Sequence, residues 1–211
     1  MLPERYRAGR HVVGVTAGAL LAITAAGCGG GGAKPPAKVW TPAPSVSSST
    51  PAAAPAKPLA RSVPSRLRIP KLHVSSPIMK LGLNPDHTIQ VPPLNQPNTT
   101  GWWDGGPTPG EKGASVILGH NVGNGRPSVF EKLGTLKPGD TVQVTRANGS
   151  VATFQITRLE QIAKSRFPTQ KVYGRLSYPG IRLITCGGRF DASWGHHVDN
   201  IIAYGRLVNG T

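Results

Sequence analysis

Short β-branched runs, separated by Gly, Pro and Asn, restrict the fold of this chain more than any other feature. They recur from residue 65 almost to the C-terminus, and residues 141–145 and 154–157 alternate strictly between apolar and polar side chains. A period of two is typical of half-buried strands, and the Asn-Gly pair in RANGS (146–150) is a hairpin signal. We therefore predict an all-β fold for residues 63–211, either a small barrel or a sandwich.

Helices are expected to be few, one or two short ones at most. The spacing predicts one at 127–136, PSVFEKLGTL. Ser128 and Glu131 have the separation of a capping box, and Val129, Leu133 and Leu136 would share one helical face.

The first 62 residues divide into two segments that are not expected to join a folded core. Residues 1–28 carry three early arginines and then an uncharged stretch from 12 to 27, which is the layout of a secretory signal or membrane anchor. This segment could be an uncleaved anchor, or it could be processed so that Cys28 is lipidated. Both alternatives predict an extracytoplasmic domain tethered to the membrane. Residues 29–62 hold seven prolines among Ala, Gly and Ser, which predicts a disordered tether.

The charge of the chain is strongly positive, +15 overall, with 18 basic and 8 acidic residues after Ala60. A basic surface attracts polyanions in general. No zinc-finger spacing, basic-zipper heptad or aromatic RNA-binding signature accompanies it, so nucleic acid is not an expected partner. Membrane surfaces and anionic cell-wall polymers remain candidates, and a non-catalytic basic β-barrel that binds such polymers is one functional hypothesis.

Cys186 is the only cysteine of the predicted domain, because Cys28 belongs to the targeting segment. It ends the apolar run RLITC, where Arg182, Ile184 and Cys186 would share one strand face, and Gly187-Gly188 are predicted to end the ladder. Backbone N–H groups beside such a thiol could serve an acyl-transfer oxyanion. From the residues alone, Cys186 could be either a reactive nucleophile or a small buried side chain.

A cysteine nucleophile needs a partner base, and His120 is the best candidate. It closes the apolar strand SVILGH and opens a Gly/Asn-rich loop, NVGNGRP, so two strands could deliver thiol and imidazole to one rim. His196 and His197, with Asp191 and Asp199 near them, are rivals, or else solvated loop residues. A metal site is not expected, since adjacent histidines point apart and no third ligand is evident.

The tandem tryptophans Trp102 and Trp103 allow two interpretations. They could stack on a sugar or peptide, or they could cover one end of the barrel.

From Ser65 to Val208 the chain resembles the sortases, cysteine transpeptidases of Gram-positive cell surfaces. The resemblance rests on PGEKGASVILGHN, FEKLGTLKPGDTVQV and LITC, which follow one another in that order, and TCGGRFD with VDNIIAYG resembles class F of actinobacteria. It implies a closed eight-stranded β-barrel outside the cytoplasm, with Cys186 as nucleophile, His120 as general acid/base and no cofactor.

The resemblance also implies a reaction. The enzyme would cleave an LPxTG-like sorting signal of exported proteins through a Cys186 thioester, and would transfer the acyl group to an amine of a cell-wall precursor or another protein. One position departs from the family pattern. Asn200 stands where the family carries an arginine that steadies the oxyanion, and Arg182 is the other candidate for that role.

Overall fold

The computed structural model describes residues 56–193 and 195–211. The predictions for a signal or anchor at 1–28 and for most of the tether fall on residues 1–55, outside this part. Within it, ten strands, one α-helix and three 3-10 helices follow one another. The strands are β1 (Pro64–Ile69), β2 (Val74–Leu81), β3 (Thr100–Trp103), β4 (Gly113–Leu118), β5 (Val122–Gly123), β6 (Arg126–Pro127), β7 (Thr141–Arg146), β8 (Val151–Ala163), β9 (Pro179–Asp191) and β10 (His196–Gly210). The 3-10 helices are Pro70–Leu72, Leu133–Thr135 and Lys164–Arg166, and α1 is Thr169–Tyr173.

Eight of the strands close into a barrel in the order β1-β2-β3-β4-β9-β10-β8-β7, and β5 and β6 form a separate two-stranded ribbon. The pairs β2/β3 and β4/β9 are parallel, whereas the other barrel pairs are antiparallel. The predicted all-β fold and the closed eight-stranded barrel are confirmed. The Asn-Gly hairpin also forms, with Gly149 in the left-handed region (φ 84°) between β7 and β8.

The barrel interior is filled by apolar side chains from strands all around the wall. These are Leu67, Ile69, Trp102, Ile117, Val142, Val144, Phe154, Ile156, Ile181, Leu183, Ala203 and Leu207, with neighbours from the loops. A second, smaller cluster lies on the outside of β4, β9 and β10 beneath α1, and contains Val116, Val172, Ile184, Ile202 and Tyr204. Side chains alternate across a strand, so β9 contributes to both clusters.

The helix predicted at 127–136 does not form; turns and the 3-10 helix at 133–135 take its place. Ser128 does not act as a cap: its hydroxyl donates to the Pro97 carbonyl (2.5 Å). The backbone N–H groups of Val129 and Phe130 donate to Pro97 and His120 (both 2.9 Å). These long-range bonds replace the bonds that a helix would make.

Residues 56–62, at the end of the predicted tether, lie against the barrel. Leu59 N–H donates to the Gly110 carbonyl (2.8 Å), and the Leu59 side chain packs against the interior cluster. Arg61 pairs with Glu111 (3.3 Å) and lies 5.7 Å from the ring centre of Trp102. Among the described residues, no helix has the length and apolar character needed to span a membrane.

Candidate active site

Cys186 lies on β9 just beyond the point where β4 leaves it. The parallel β4/β9 ladder ends at Leu118 opposite Ile184, and the chain turns away after Gly119 N–H donates to the Ile184 carbonyl (3.1 Å). On its other side, Cys186 pairs with Asn200 of β10. The thiol is free and half-buried, because one neighbouring strand is missing at its position.

The ladder between β9 and β10 does not end at Gly187-Gly188, as the sequence predicted. It continues to Asp191 opposite His196, with a register shift between His197 and Asp199. Gly188 adopts a left-handed conformation (φ 73°), which glycine reaches without strain. The glycines therefore bend the hairpin rather than terminate it.

His120 follows β4 immediately after Gly119. A side chain at position 119 would meet the Phe130 ring at 2.7 Å, so glycine is needed for this close approach. The His120 carbonyl accepts the Phe130 N–H (2.9 Å), and its ring Nε2 lies 2.7 Å from the Pro92 carbonyl oxygen. Backbone and ring are therefore both held in place.

Cys186 and His120 line the same two cavities. We call the first, of about 130 Å³, the narrow cavity; its other lining residues are Val91, Pro92, Leu118, Gly119, Ile184, Thr185 and Asn200. We call the second, of about 570 Å³, the wide cavity; it is also lined by Leu94, Asn121, Val122, Asn124, Gly125, Phe190, Gly195, His196 and His197. The structure thus brings together the thiol and imidazole that the sequence placed at one rim.

The two candidates for oxyanion stabilisation lie in different places. Asn200 is directly opposite Cys186 and lines the narrow cavity. Arg182 is buried on the same outer face of β9, four residues before Cys186, and lines neither cavity. Its guanidinium donates through Nε to the Lys171 carbonyl (3.2 Å) and through Nη1 to the Ile181 carbonyl (3.0 Å).

Thr185 is a residue that the sequence reasoning missed. It is buried, directly precedes Cys186 on β9 and is one of the residues that line the narrow cavity, and its hydroxyl oxygen has no hydrogen-bond partner among the described residues. A buried hydroxyl without a partner is costly. A threonine within an apolar strand, next to a candidate nucleophile, was the available signal.

The rival histidines make contacts other than a Cys-His-Asp arrangement. His197 Nδ1 is 2.9 Å from the Gly188 carbonyl oxygen, and His196 Nδ1 is 2.9 Å from the His197 carbonyl oxygen. Asp191 accepts from Ser193, which lowers the pKa of its carboxyl, and Asp199 accepts from Gln161 (2.7 Å). In the part of the chain that the structure describes, no group of three or more His, Cys, Asp or Glu side chains could hold a metal ion.

A third depression, of about 900 Å³, shares Leu118 and Asn200 with the narrow cavity; we call it the aromatic groove. Its walls include Leu83, Ile89, Trp103, Phe167 and Tyr173, with Lys164 and His87 among the polar residues. Trp103 and Tyr173 meet edge to face with ring centres 5.3 Å apart, and burial raises the pKa of the Tyr173 phenol. Trp102 lies in the core instead, with Nε1 donating to Pro107 (3.0 Å).

A comparison with models of protein families identifies the family of this chain. The sequence model of the sortase domain matches residues 67–208, which is most of the described chain. The chain belongs to the sortase family. Sortases are cysteine transpeptidases that act outside the cytoplasm, at the cell surface, on sorting-signal substrates and amine acceptors. A comparison with curated proteins found no significant match.

Solved structures of sortases share the fold. Sortase C-1 from Actinomyces oris is 24% identical, with a TM-score of 0.53, over 69% of this chain and 73% of that one. The sortase D5 transpeptidase of Clostridium perfringens is 23% identical, with a TM-score of 0.52, over 70% and 79%. Sortase C-3 from Streptococcus pneumoniae is 23% identical, with a TM-score of 0.52, over 73% and 65%. These belong to classes C and D, so the class F assignment is not confirmed by them.

In this sortase a network of charged and aromatic side chains on the outer face of the barrel holds α1 in place. The Tyr204 ring lies between Arg158 and Arg182, with distances of 3.9 and 4.7 Å to its centre, and its hydroxyl donates to Glu160 (3.0 Å). Glu160 also pairs with Lys171 of α1 (3.6 Å). Because α1 and the residues before it carry Tyr173 and Phe167, this network supports one wall of the aromatic groove.

Proposed function

We propose that Cys186 is the nucleophile of this transpeptidase and that His120 is its general acid and base. The single observation that supports the proposal most is that both residues line the narrow cavity and the wide cavity at once. A thiol and an imidazole at one rim can exchange a proton and share a bound substrate. The site residues belong to β9, to β10 and to the loop after β4, and these three strands are direct neighbours in the barrel.

The proposed reaction has two balanced steps. The Cys186 thiolate attacks a backbone carbonyl carbon of the substrate, the C–S bond forms, and the C–N amide bond breaks as His120 gives a proton to the departing amine. A second amine then attacks the thioester, the new C–N bond forms, and the C–S bond breaks. His120 takes the proton of the attacking amine, and the Cys186 thiolate is restored.

The oxyanion that forms at each step needs hydrogen-bond donors. Asn200 lies opposite Cys186 with an amide that can donate, and Thr185, a lining residue of the same cavity, has a hydroxyl without a hydrogen-bond partner among the described residues. We propose that these two groups replace the arginine that the family pattern leads one to expect. The described residues that line the narrow and wide cavities include no Arg or Lys.

The two sides of the Cys186–His120 pair suit two different substrates. The aromatic groove adjoins the narrow cavity and offers apolar walls to the apolar part of an LPxTG-like sorting signal. The wide cavity on the other side has room for the amine acceptor, from a cell-wall precursor or a protein amino group. This arrangement would let the acyl donor stay bound as the thioester while the acceptor enters.

Two further parts of the proposal rest on sequence alone. TCGGRFD and VDNIIAYG support class F, and the composition of residues 1–28 and 29–62 supports a membrane anchor followed by a tether. N-terminal sequencing of the membrane-associated protein would test the anchor. An intact residue 1 indicates an uncleaved anchor, a lipid-modified Cys28 indicates a lipoprotein, and a protein starting near residue 29 without lipid contradicts both.

The reaction can be tested by incubating the full-length protein with LPxTG-type peptides and a free amine, with mass spectrometry of all species. We expect an acyl adduct on Cys186 and a peptide–amine product. Cys186→Ala should lose both while keeping the circular dichroism spectrum of the wild type. Cys28→Ala, which removes the other cysteine, is the matched control and should retain turnover. Turnover by Cys186→Ala close to that of the wild type would refute the proposal.

A further inference from the structure

A proline-rich segment lies between the two cavities and contacts His120. We call residues 91–97, VPPLNQP, the proline strap. Val91 and Pro92 line the narrow cavity, while Leu94 lines the wide cavity. Pro92 is buried, whereas the side chains of Val91 and Leu94 are 58% and 52% exposed. The strap therefore directs one backbone group inward at the imidazole while most of it faces solvent.

The C-terminal end of the strap is fastened to residues 128 and 129, which follow His120 in the chain. The Pro97 carbonyl accepts from the Ser128 hydroxyl (2.5 Å) and from Val129 N–H (2.9 Å). Within the strap, Gln96 N–H donates to the Pro93 carbonyl (3.0 Å) and closes a turn. The proline rings restrict the backbone further, because Pro93 disfavours the helical conformation at Pro92. The Pro92 carbonyl is thus fixed in direction before any substrate arrives.

The contact at Pro92 determines which nitrogen of His120 carries the proton. A carbonyl oxygen can only accept, so at 2.7 Å the Nε2 atom must be the donor. A neutral imidazole has a single N–H, and Nδ1 is then left with a free lone pair. When Nδ1 gains a proton, the Nε2–H bond to Pro92 persists and becomes charge-assisted.

We propose that the Pro92 carbonyl is a positioning group for catalysis: it holds His120 in the Nε2–H tautomer, so that Nδ1 takes and gives the proton. This inference rests on the proposed role of His120. It assigns to a neutral backbone carbonyl the orienting role that a carboxylate has in a Ser-His-Asp triad. The described residues lining the two cavities include no Asp or Glu that could do this instead.

Nitrogen NMR of the full-length protein tests the tautomer without using activity. In a long-range proton–nitrogen correlation spectrum, His120→Gln identifies the His120 signals among those of the six histidines. We expect neutral His120 to show a protonated Nε2 and an unprotonated Nδ1. An Nδ1–H tautomer, or the averaged signals of a free imidazole, would overturn the proposal.

Loosening the strap gives a second readout. Replacing both Pro92 and Pro93 with Gly keeps a carbonyl at position 92 but frees its direction, so we expect mixed tautomer signals and a kcat at least about tenfold lower. Leu94→Ala, in the same strap but without the contact, should keep the wild-type tautomer. If the double variant does not fold, the wild-type spectrum still decides. Full turnover by His120→Gln would instead refute the role of His120, which separates the two failures.

Discussion

The two faces of β9 differ in what they contribute. Ile181 and Leu183 point into the barrel and are fully buried among apolar side chains. Arg182 and Ile184 lie on the other face beneath α1, and Cys186 continues that face to the edge where β4 ends. Up to Ile184, β9 therefore carries core packing on its inner face and contacts to α1 on its outer face, and the proposed site residues Thr185 and Cys186 follow at the next two positions. Substitutions one residue apart should have effects of different kinds.

The largest expected effect on stability is on the inner face. Leu183→Ala removes a fully buried side chain and leaves a cavity, so we expect the free energy of unfolding to fall by about 2–5 kcal/mol. Chemical denaturation measures this change. Val63→Ala, at a side chain 40% exposed, is the control and should change stability by less than about 0.5 kcal/mol. A loss below about 1 kcal/mol for Leu183→Ala would contradict the assignment of this face to the core.

Arg182→Met tests the outer face one residue away. It removes the donor to the Lys171 carbonyl and loosens α1, so we expect a stability loss of about 1–3 kcal/mol. Because α1 supports the aromatic groove, KM for the peptide should rise while kcat changes by less than about threefold. Arg206→Met, which removes an exposed arginine stacked on Tyr178, is the matched control. A hundredfold fall in kcat for Arg182→Met alone would instead place Arg182 with the reacting atoms.

Thr185→Val separates stability from chemistry at a single position. The hydroxyl has no hydrogen-bond partner among the described residues, so its removal should leave the free energy of unfolding unchanged or slightly higher. If it donates to the oxyanion, kcat should fall at least about tenfold with little change in KM. Steady-state kinetics measures kcat and KM of Thr185→Val, with Thr145→Val on β7 as the control. An unchanged kcat would remove Thr185 from the proposed site.

The smallest effect concerns pH and the network beneath α1. Burial, together with the hydrogen bond to Glu160 and its negative charge, raises the pKa of Tyr204 to about 12 from its ordinary value of 10. A raised folded-state pKa means that the stabilisation is complete below pH 10 and is lost as the pH rises from about 10 to 12. Urea unfolding across this window should show the decline in the wild type and a shallower one in Tyr204→Phe. Equal slopes would contradict the role of this phenol.

Sequence reasoning reached local patterns more easily than long-range contacts. Strict alternation predicted β7 and the first half of β8, and the positions of Cys186 and His120 at two strand ends predicted that they meet at one rim. The closed eight-stranded barrel came from the resemblance to sortases, because alternation alone also allowed a sandwich. The helix predicted at 127–136 was wrong, since its cap residue bonds to a carbonyl 31 residues away in the chain.

The contacts around the candidate site could not be predicted from the sequence. The face shared by Arg182 and Cys186 was predictable from the period of a strand, but the partner of Arg182 is on α1, a five-residue helix too short to leave a periodic signal. The Pro92 contact joins residues 28 positions apart through a backbone group, which no side-chain pattern reports. Such contacts form only in the folded domain.

The central claim is that Cys186 and His120 exchange a proton at one rim, and the pH dependence of Cys186 alkylation tests it most directly. Mass spectrometry can follow modification at Cys186 separately from Cys28, in the wild type and in His120→Gln. We predict that alkylation of Cys186 near neutral pH is at least a few-fold slower in His120→Gln and follows a different pH profile, because the thiolate loses its partner. Identical rates and profiles in the two proteins would contradict the claim.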